Sequence, residues 1–399
     1  MKNDLLQFIA IYEVYYNTIF RPANPKAPEL SHETTVKPQE KENPKDTVKP
    51  FPFTLSTLDP IFTTPYALRF ITSLLAKPFV ILSGNSGTGK TRIAKEFAEY
   101  LQVTDEAGRK NWELVPVGAD WTDNTEVLGY YDPLGGDDGK GTYRASRILQ
   151  LLVRANAHPT VPYFLILDEM NLSHVERYFS DFLSHMETEG NPFVLEGFGK
   201  EVLYPQNLFV VGTVNMDETT YMFSPKVLDR ANVIEFKPAE EDVLGLFKEG
   251  PKQKPVDKAP RGLAEGFLQL ALTVRQDELV EGLDYDRIQA VFRDVYEITD
   301  RAGFAFAFRT VKEICRYVAA SYALSEMPLE KFNEGKLMTV VDEQLFQKVL
   351  PKVYGNKKEI GGLIRDLQDL CGREELPLSR QKLASMKGKL DAVQFASFM

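Results

Sequence analysis

Apolar positions fall into three regimes along the chain. Between Phe53 and Gly250 they gather in short runs: Phe79–Leu82, Glu113–Val117, Tyr163–Leu167, Leu208–Gly212 and Val233–Phe236 read as strands. Several of these runs are apolar at every residue, the pattern a parallel sheet produces when helices cover both faces. Between them, Arg92–Leu101 and Glu176–Met186 have the spacing of helices. The alternation predicts a doubly wound α/β domain over residues 53–250, a parallel sheet flanked by helices. After the breaker-rich stretch Gly250–Gly262 the period becomes helical and stays so, giving an all-helical zone over 251–399. Its candidate helices are Leu263–Gln276, Tyr285–Thr299, Thr310–Ser325, Glu343–Leu350 and Glu359–Leu370.

Ahead of the α/β zone, Leu5, Leu6, Ile9, Tyr12, Tyr16 and Ile19 sit near helical spacing, predicting a helix over residues 1–20. Residues 21–52 are rich in Pro, Lys and Glu, with Pro22, Pro25, Pro28, Pro38, Pro44 and Pro50 forbidding regular structure. That stretch reads as a linker. The leading helix either docks on a partner or neighbouring copy, or packs on its own body. Asp4 and Glu13 interrupt its apolar run, which falls short of ~18 uninterrupted residues and lacks a small-residue cleavage site. No membrane contact is expected, and the chain reads as cytoplasmic.

Composition changes this picture little. The 399 residues leave room for two domains with proper cores. A formal net charge of −10 argues against a broad basic surface for nucleic acid, though a local basic groove or pore is compatible with it. Cys315 and Cys371 lie in helical stretches without clustered partners, so neither a zinc site nor a disulfide is expected and both read as core residues.

The chemistry is concentrated at strand ends. Gly84-Asn85-Ser86-Gly87-Thr88-Gly89-Lys90-Thr91 matches the phosphate-loop pattern in full, between a strand and a helix. Its glycines let backbone N–H groups turn onto phosphates, and the helix N-terminus adds a favourable dipole. Lys90 is expected to reach the β- and γ-phosphates, and the Thr91 hydroxyl to ligate Mg²⁺. Tyr163–Leu167 runs into Asp168-Glu169, which places Asp168 in a metal shell and Glu169 beside an attacking water as general base. Asn215 closes a further apolar strand and either orients that water or the γ-phosphate, or caps the strand. Arg230 stands just before the next strand, as a cation for a neighbouring subunit's transition state or as a surface ion pair. Arg309 opens a helix of the last zone and either reaches a nucleotide from a lid or charges a helix face. The stretch Asp132–Gly141, rich in Gly and Asp, reads as the solvated tip of a hairpin, with a pore-lining or partner-touching role as the alternative.

Taken in order, these features resemble the AAA+ family, and in finer detail its McrB-like branch, motor subunits of modification-dependent restriction systems. Trp121-Thr122-Asp123, Leu167-Asp168-Glu169-Met170-Asn171 and Phe209-Val210-Val211-Gly212-Thr213-Val214-Asn215 carry that likeness, as do Phe308-Arg309-Thr310 and Val349-Leu350-Pro351 further on. The resemblance implies an AAA+ core with a helical lid, ATP or GTP with Mg²⁺, a homo-oligomer (six subunits in a ring), and a McrC-like nuclease partner. DNA would be met through that partner or through a pore. This chain departs from the branch: Glu218 and Thr219 stand where the best-known members have Asp and Arg, and of an arginine run only Arg230 remains. Residues 1–52 also offer too little core for an independent DNA-reading domain. Two other readings share the core: a MoxR-like remodelling chaperone, and a nucleotide-gated scaffold without useful turnover.

Overall fold

The computed structural model describes residues 50–135, 141–188, 190–216, 221–238, 244, 247 and 256–399. The helix expected over residues 1–20, nearly all of the linker, and Glu218 and Thr219 lie outside the described residues.

Nine strands are described: β1 (Phe79–Gly84), β2 (Trp112–Pro116), β3 (Gly129–Asp132), β4 (Thr142–Ala145), β5 (Tyr163–Asp168), β6 (Leu208–Asn215), β7 (Asn232–Glu235), β8 (Tyr354–Asn356) and β9 (Phe395–Ser397). Five of them form one parallel sheet in the order β2-β5-β6-β1-β7. The α/β architecture read from the apolar runs is the one observed. The runs are unbroken because both faces are covered. Val80, Leu82, Phe164, Ile166, Phe209 and Val211 turn to one hydrophobic layer, while Phe79, Ile81, Leu165, Leu167 and Val210 turn to the other. β3 and β4 form a separate antiparallel hairpin that carries the Asp132–Gly141 stretch, whose residues 136–140 are outside the described set.

The first layer holds α1 (Pro65–Ala76) and α2 (Lys90–Tyr100). Thr64 caps α1, accepting the Ala67 N–H, and Pro65 occupies the first turn where its missing donor costs nothing. On the second face lies α3 (Arg147–Ala157), capped by Ser146. The helix expected over Glu176–Met186 is instead two short turns, Val175–Tyr178 and Ser180–His185, broken at Phe179. Tyr178, Phe179 and Phe182 are all fully buried. A continuous helix would point neighbours 178 and 179 about 100° apart, so the break lets both rings reach the core. A further short helix, α4 (Pro225–Arg230), leads into β7.

The remaining helices are α5 (Leu263–Val274), α6 (Tyr285–Arg301), α7 (Phe308–Ser325), α8 (Leu337–Gln344), α9 (Lys357–Arg373) and α10 (Pro377–Val393). The first of these belongs physically to the sheet: Phe267 of α5 packs 4.9 Å from Phe209 and 5.5 Å from Phe97 between ring centres. α8 starts earlier than expected and continues through the wider turn Leu345–Val349. α9 opens on a capping box, with Asn356 accepting from the Glu359 N–H and Glu359 accepting in return from the Asn356 N–H. Cys315 and Cys371 are both free thiols, pushed by burial to about 11 and about 12 respectively, so neither is poised as a nucleophile. Among the described residues no helix is long and apolar enough to cross a membrane.

Candidate active site

The register of the sheet assembles the site. In the parallel pairing Gly84 lies opposite Asn215, and Leu167 lies opposite Gly212. The carboxyl ends of β1, β5 and β6 therefore open side by side, where a doubly wound sheet binds ligands.

From Gly84 the chain turns through the phosphate loop into α2. Gly84 has φ 148°, and a Cβ there would collide with the carbonyl oxygen of Phe236, just beyond β7. Gly89, the N-cap of α2, has φ 92°. Both conformations fall to glycine because a Cβ is disfavoured there. Replacing Gly84 with alanine is expected to lower stability by about 2 kcal/mol or more and to weaken nucleotide binding, by thermal melting and nucleotide titration. Unchanged values in both would show that the loop adjusts freely.

Lys90 is buried within the loop, its Nζ donating to the carbonyls of Gly84 (2.9 Å) and Asn85 (2.6 Å). Burial lowers its pKa below the ordinary lysine value, opposed by the carboxylates of Asp168 and Glu169. The Thr91 hydroxyl donates to Asp168 Oδ1 at 2.7 Å, and Thr213 donates to the same oxygen at 2.6 Å. Thr213 Oγ1 in turn accepts the Glu169 N–H at 3.0 Å. One hydroxyl thus fixes both acids at the end of β5.

Glu169 adopts the left-handed conformation, φ 55°, which is unfavourable for a side chain of its kind. Asn215 Nδ2 donates to Glu169 Oε1 at 3.1 Å, and Asn171 Nδ2 donates to the Asn215 carbonyl at 3.1 Å. The structure therefore gathers Lys90, Thr91, Asp168, Glu169 and Asn215 into one site. Chemically, such a site offers a cation and loop N–H groups for phosphates and a carboxylate for a water's proton.

The two arginines lie elsewhere. Arg230 ends α4 immediately before β7, whose first residue Asn232 pairs with Val80 and whose last, Glu235, pairs with Ser83. The phosphate loop begins past the far end of that pairing, at Gly84, about 13 Å beyond the level of Asn232 at ~3.3 Å per residue. Arg309 pairs with Asp229 Oδ2 at 2.7 Å and with Glu187, and Arg230 pairs with Glu187 Oε2 at 2.5 Å. Arg309, expected to reach the nucleotide from a lid, is paired here with acids beside α4, away from the residues gathered at the phosphate loop. Burial favours a higher pKa for Asp229, but Lys352, Lys348 and Arg309 outweigh it and hold the carboxyl at about 2.

Comparison with known proteins agrees with the geometry. The family described as AAA domain (dynein-related subfamily) matches residues 79–231, from the start of β1 to the end of α4. Residues 79–231 form an AAA domain. A second family, described as a domain of unknown function (DUF8727), matches residues 266–395 and takes in most of the helical zone. A Lon protease from Clostridioides difficile (strain 630) is 24% identical over 303 residues, 74% of this chain and 34% of that protein. The chain spans about a third of that relative's length. A crystal structure of a candidate ATPase from Cytophaga hutchinsonii ATCC 33406 aligns at 14% identity with a TM-score of 0.47, covering 71% of this chain and 81% of that one.

The AAA-domain match over residues 79–231 agrees with a phosphate-binding site at these strand ends. The oxygen donors fit Mg²⁺: the Thr91 hydroxyl and the Asp168 carboxylate converge at 2.7 Å, and hard oxygen ligands suit that metal. Among the described residues no cluster of three or more His, Cys, Asp or Glu is arranged to hold a metal.

Thr213 and Asn171 were not singled out from the sequence. Thr213 could have been found, because it is the one hydroxyl in the otherwise apolar run Leu208–Val214 and lies two residues before Asn215. Asn171 closes the family-like passage Leu167–Asn171, but nothing in its spacing assigned it a role. Trp121, which carried part of the family likeness, is a core residue, edge-on to Tyr178 at 5.2 Å, with its carbonyl accepting from Ser173.

Proposed function

We propose that this chain is the subunit of an AAA+ motor that hydrolyses ATP with Mg²⁺ in an oligomeric ring. The observation that carries the reading is the bond from Asn215 to Glu169, which holds a strained carboxylate beside the phosphate loop in one orientation. In the reaction, Lys90 and the loop N–H groups bind the β- and γ-phosphates, and Glu169 takes the proton of the attacking water. Thr91 and Asp168 hold the metal, which supplies charge neutralisation across the phosphates when bound. Thr213 fixes Asp168 and the Glu169 backbone together, so neither acid must reorganise as the reaction proceeds.

The arginine cluster ahead of β7 is too far from its own chain's loop to take part in this site. A ring in which one subunit's cluster meets the next subunit's nucleotide gives it a role, and the AAA+ likeness supports six subunits. The McrB-like passages support a finer proposal: the ring drives a McrC-like nuclease on DNA, with ATP or GTP as fuel.

Steady-state phosphate release from ATP and from GTP, with Glu169→Gln as control, tests the first level. Release from ATP above the control is expected; release from GTP alone would favour the restriction branch over the general AAA+ reading. Recovery from the native host tests the second level. A co-purifying nuclease supports the restriction role, while a metalloprotein client would move the assignment to a MoxR-like chaperone. No turnover of either nucleotide in the assembled state would overturn the motor and leave the scaffold.

A further inference from the structure

We infer that Asn171 is a positioning residue for Glu169 and acts through Asn215, an inference that rests on the general-base role proposed above. Asn171 is buried in the short turn Met170–Leu172, directly after the left-handed Glu169.

That turn is stapled to β6 at two levels. Glu169 gives its N–H to Thr213 Oγ1, and two residues further along both segments Asn171 Nδ2 donates to the Asn215 carbonyl. Side chains two apart on a strand face the same way, so Thr213 and Asn215 both turn to Glu169. One meets its main chain and the other its carboxylate. Asn215 can meet that carboxylate only while the end of β6 stays level with the turn, and the bond from Asn171 sets the level. From the other side, the Met216 N–H donates at 3.3 Å to the Gly84 carbonyl, the oxygen that Lys90 also meets. Asn215 is thus gripped between the phosphate loop and Asn171.

Asn171 also holds the chain beyond β6. Its own carbonyl accepts the Tyr221 N–H at 3.0 Å, and the Tyr221 ring lies 3.7 Å from that of His174 between centres. One residue therefore fixes the chain at 215 through its side chain and at 221 through its main chain.

The residue type points to function rather than to packing. Among the described residues, Asn171 Oδ1 has no hydrogen-bond partner although it is buried. A buried acceptor left unpaired is unfavourable, and leucine has the same branching without one. A position that served packing alone would be better filled by the apolar side chain. A position that needs a donor at Nδ2 takes asparagine and carries the idle oxygen with it.

The test is ATP turnover and thermal melting of the full chain as Asn171→Leu and Asn171→Ala, each alone and combined with Asn215→Ala, with Glu169→Gln alongside. Asn171→Leu is expected to melt at or above the parent temperature while kcat falls about 5-fold with KM unchanged, the rate equivalent of one neutral hydrogen bond. Asn171→Ala leaves a void, so it should melt lower and show the same loss in kcat per folded molecule. On the Asn215→Ala background neither substitution should slow turnover further, because the side chain that Asn171 aims is gone. Parent-level kcat in both Asn171 variants, with Glu169→Gln inactive, would overturn the inference and leave the general base in place. A loss that adds in full to that of Asn215→Ala would overturn it too, since Asn171 would then reach Glu169 by a separate route. Parent-like turnover in Glu169→Gln would instead remove the general base itself.

Discussion

Glu169→Gln is expected to leave ATP binding intact and to lower turnover by about 10³-fold, within the usual range for loss of a general base. The two side chains have the same shape, so the left-handed backbone at 169 and its N–H bond to Thr213 survive. Lys90 and Thr91, which would carry the binding, do not touch the altered group. What is lost is the ability to accept a proton. The amide oxygen can still accept from Asn215 Nδ2, so the orienting bond is kept while the base is lost. Asn215→Ala tests the orientation separately. It leaves the base in place but free to turn, and should cost about 10-fold, in line with ~1.5 kcal/mol for one hydrogen bond to a charged group. Nucleotide titration and phosphate release on the same preparations check both. Parent-like turnover in Glu169→Gln would remove Glu169 from the reaction.

The site was legible where its chemistry is local in the chain. The phosphate loop, Asp168, Glu169 and Asn215 each sit at the end of an apolar run, and strand ends of a parallel sheet meet at one edge whatever the strand order. Thr213 was less legible, because its contact with Asp168 depends on β5 and β6 being neighbours in one particular register. The arginines show the same limit more sharply. That Arg230 precedes a strand says which end of the sheet it occupies only once β7 is known to run parallel to β1. Nothing in the spacing of Glu187, Arg230 and Arg309 announces that they share ion pairs.

The fold was legible by the same rule. Runs apolar at every residue gave the sheet, since both faces are covered. α1 escaped because it is buried without a break from Phe70 to Ala76, so it has no polar face to set a period. α10 does carry spacing, with Leu383, Met386 and Leu390 buried, but most of its length is polar and the apolar signal is thin. The division at Gly250–Gly262 marks a change of period rather than an edge of packing, because α5 seals the sheet with Phe267.

Glu313→Ala is expected to destabilise the protein by about 3–5 kcal/mol, the loss typical of removing one partner from a buried ion pair. Glu313 on α7 is buried between two lysines, Lys77 just ahead of β1 and Lys348 after α8. Lys348 also donates to the carbonyls of Asp229 and Ala231, so the cluster ties the helical zone to the strand entrances of the sheet. Burial already drives the Lys77 pKa down to about 7, despite the pull of Glu313, and lowers that of Lys348 as well. A lysine whose folded pKa lies below its unfolded value binds fewer protons in the folded state between those two values. Stability therefore rises with pH across about 7 to 10.5 as far as Lys77 is concerned, and the cost of its burial is felt in full below about pH 7. Removing Glu313 takes away the charge that favours both protonated lysines, so their folded pKa values fall further. The Lys77 share of the Glu313→Ala deficit should therefore be small above about pH 8 and grow as pH falls through about 7 and below, by denaturant melts at each pH. Glu313→Gln keeps the volume and still lacks the charge, so it should follow the same pH course. A pH-independent deficit in both variants would mean that packing at position 313, and not its charge, holds the helical zone to the sheet.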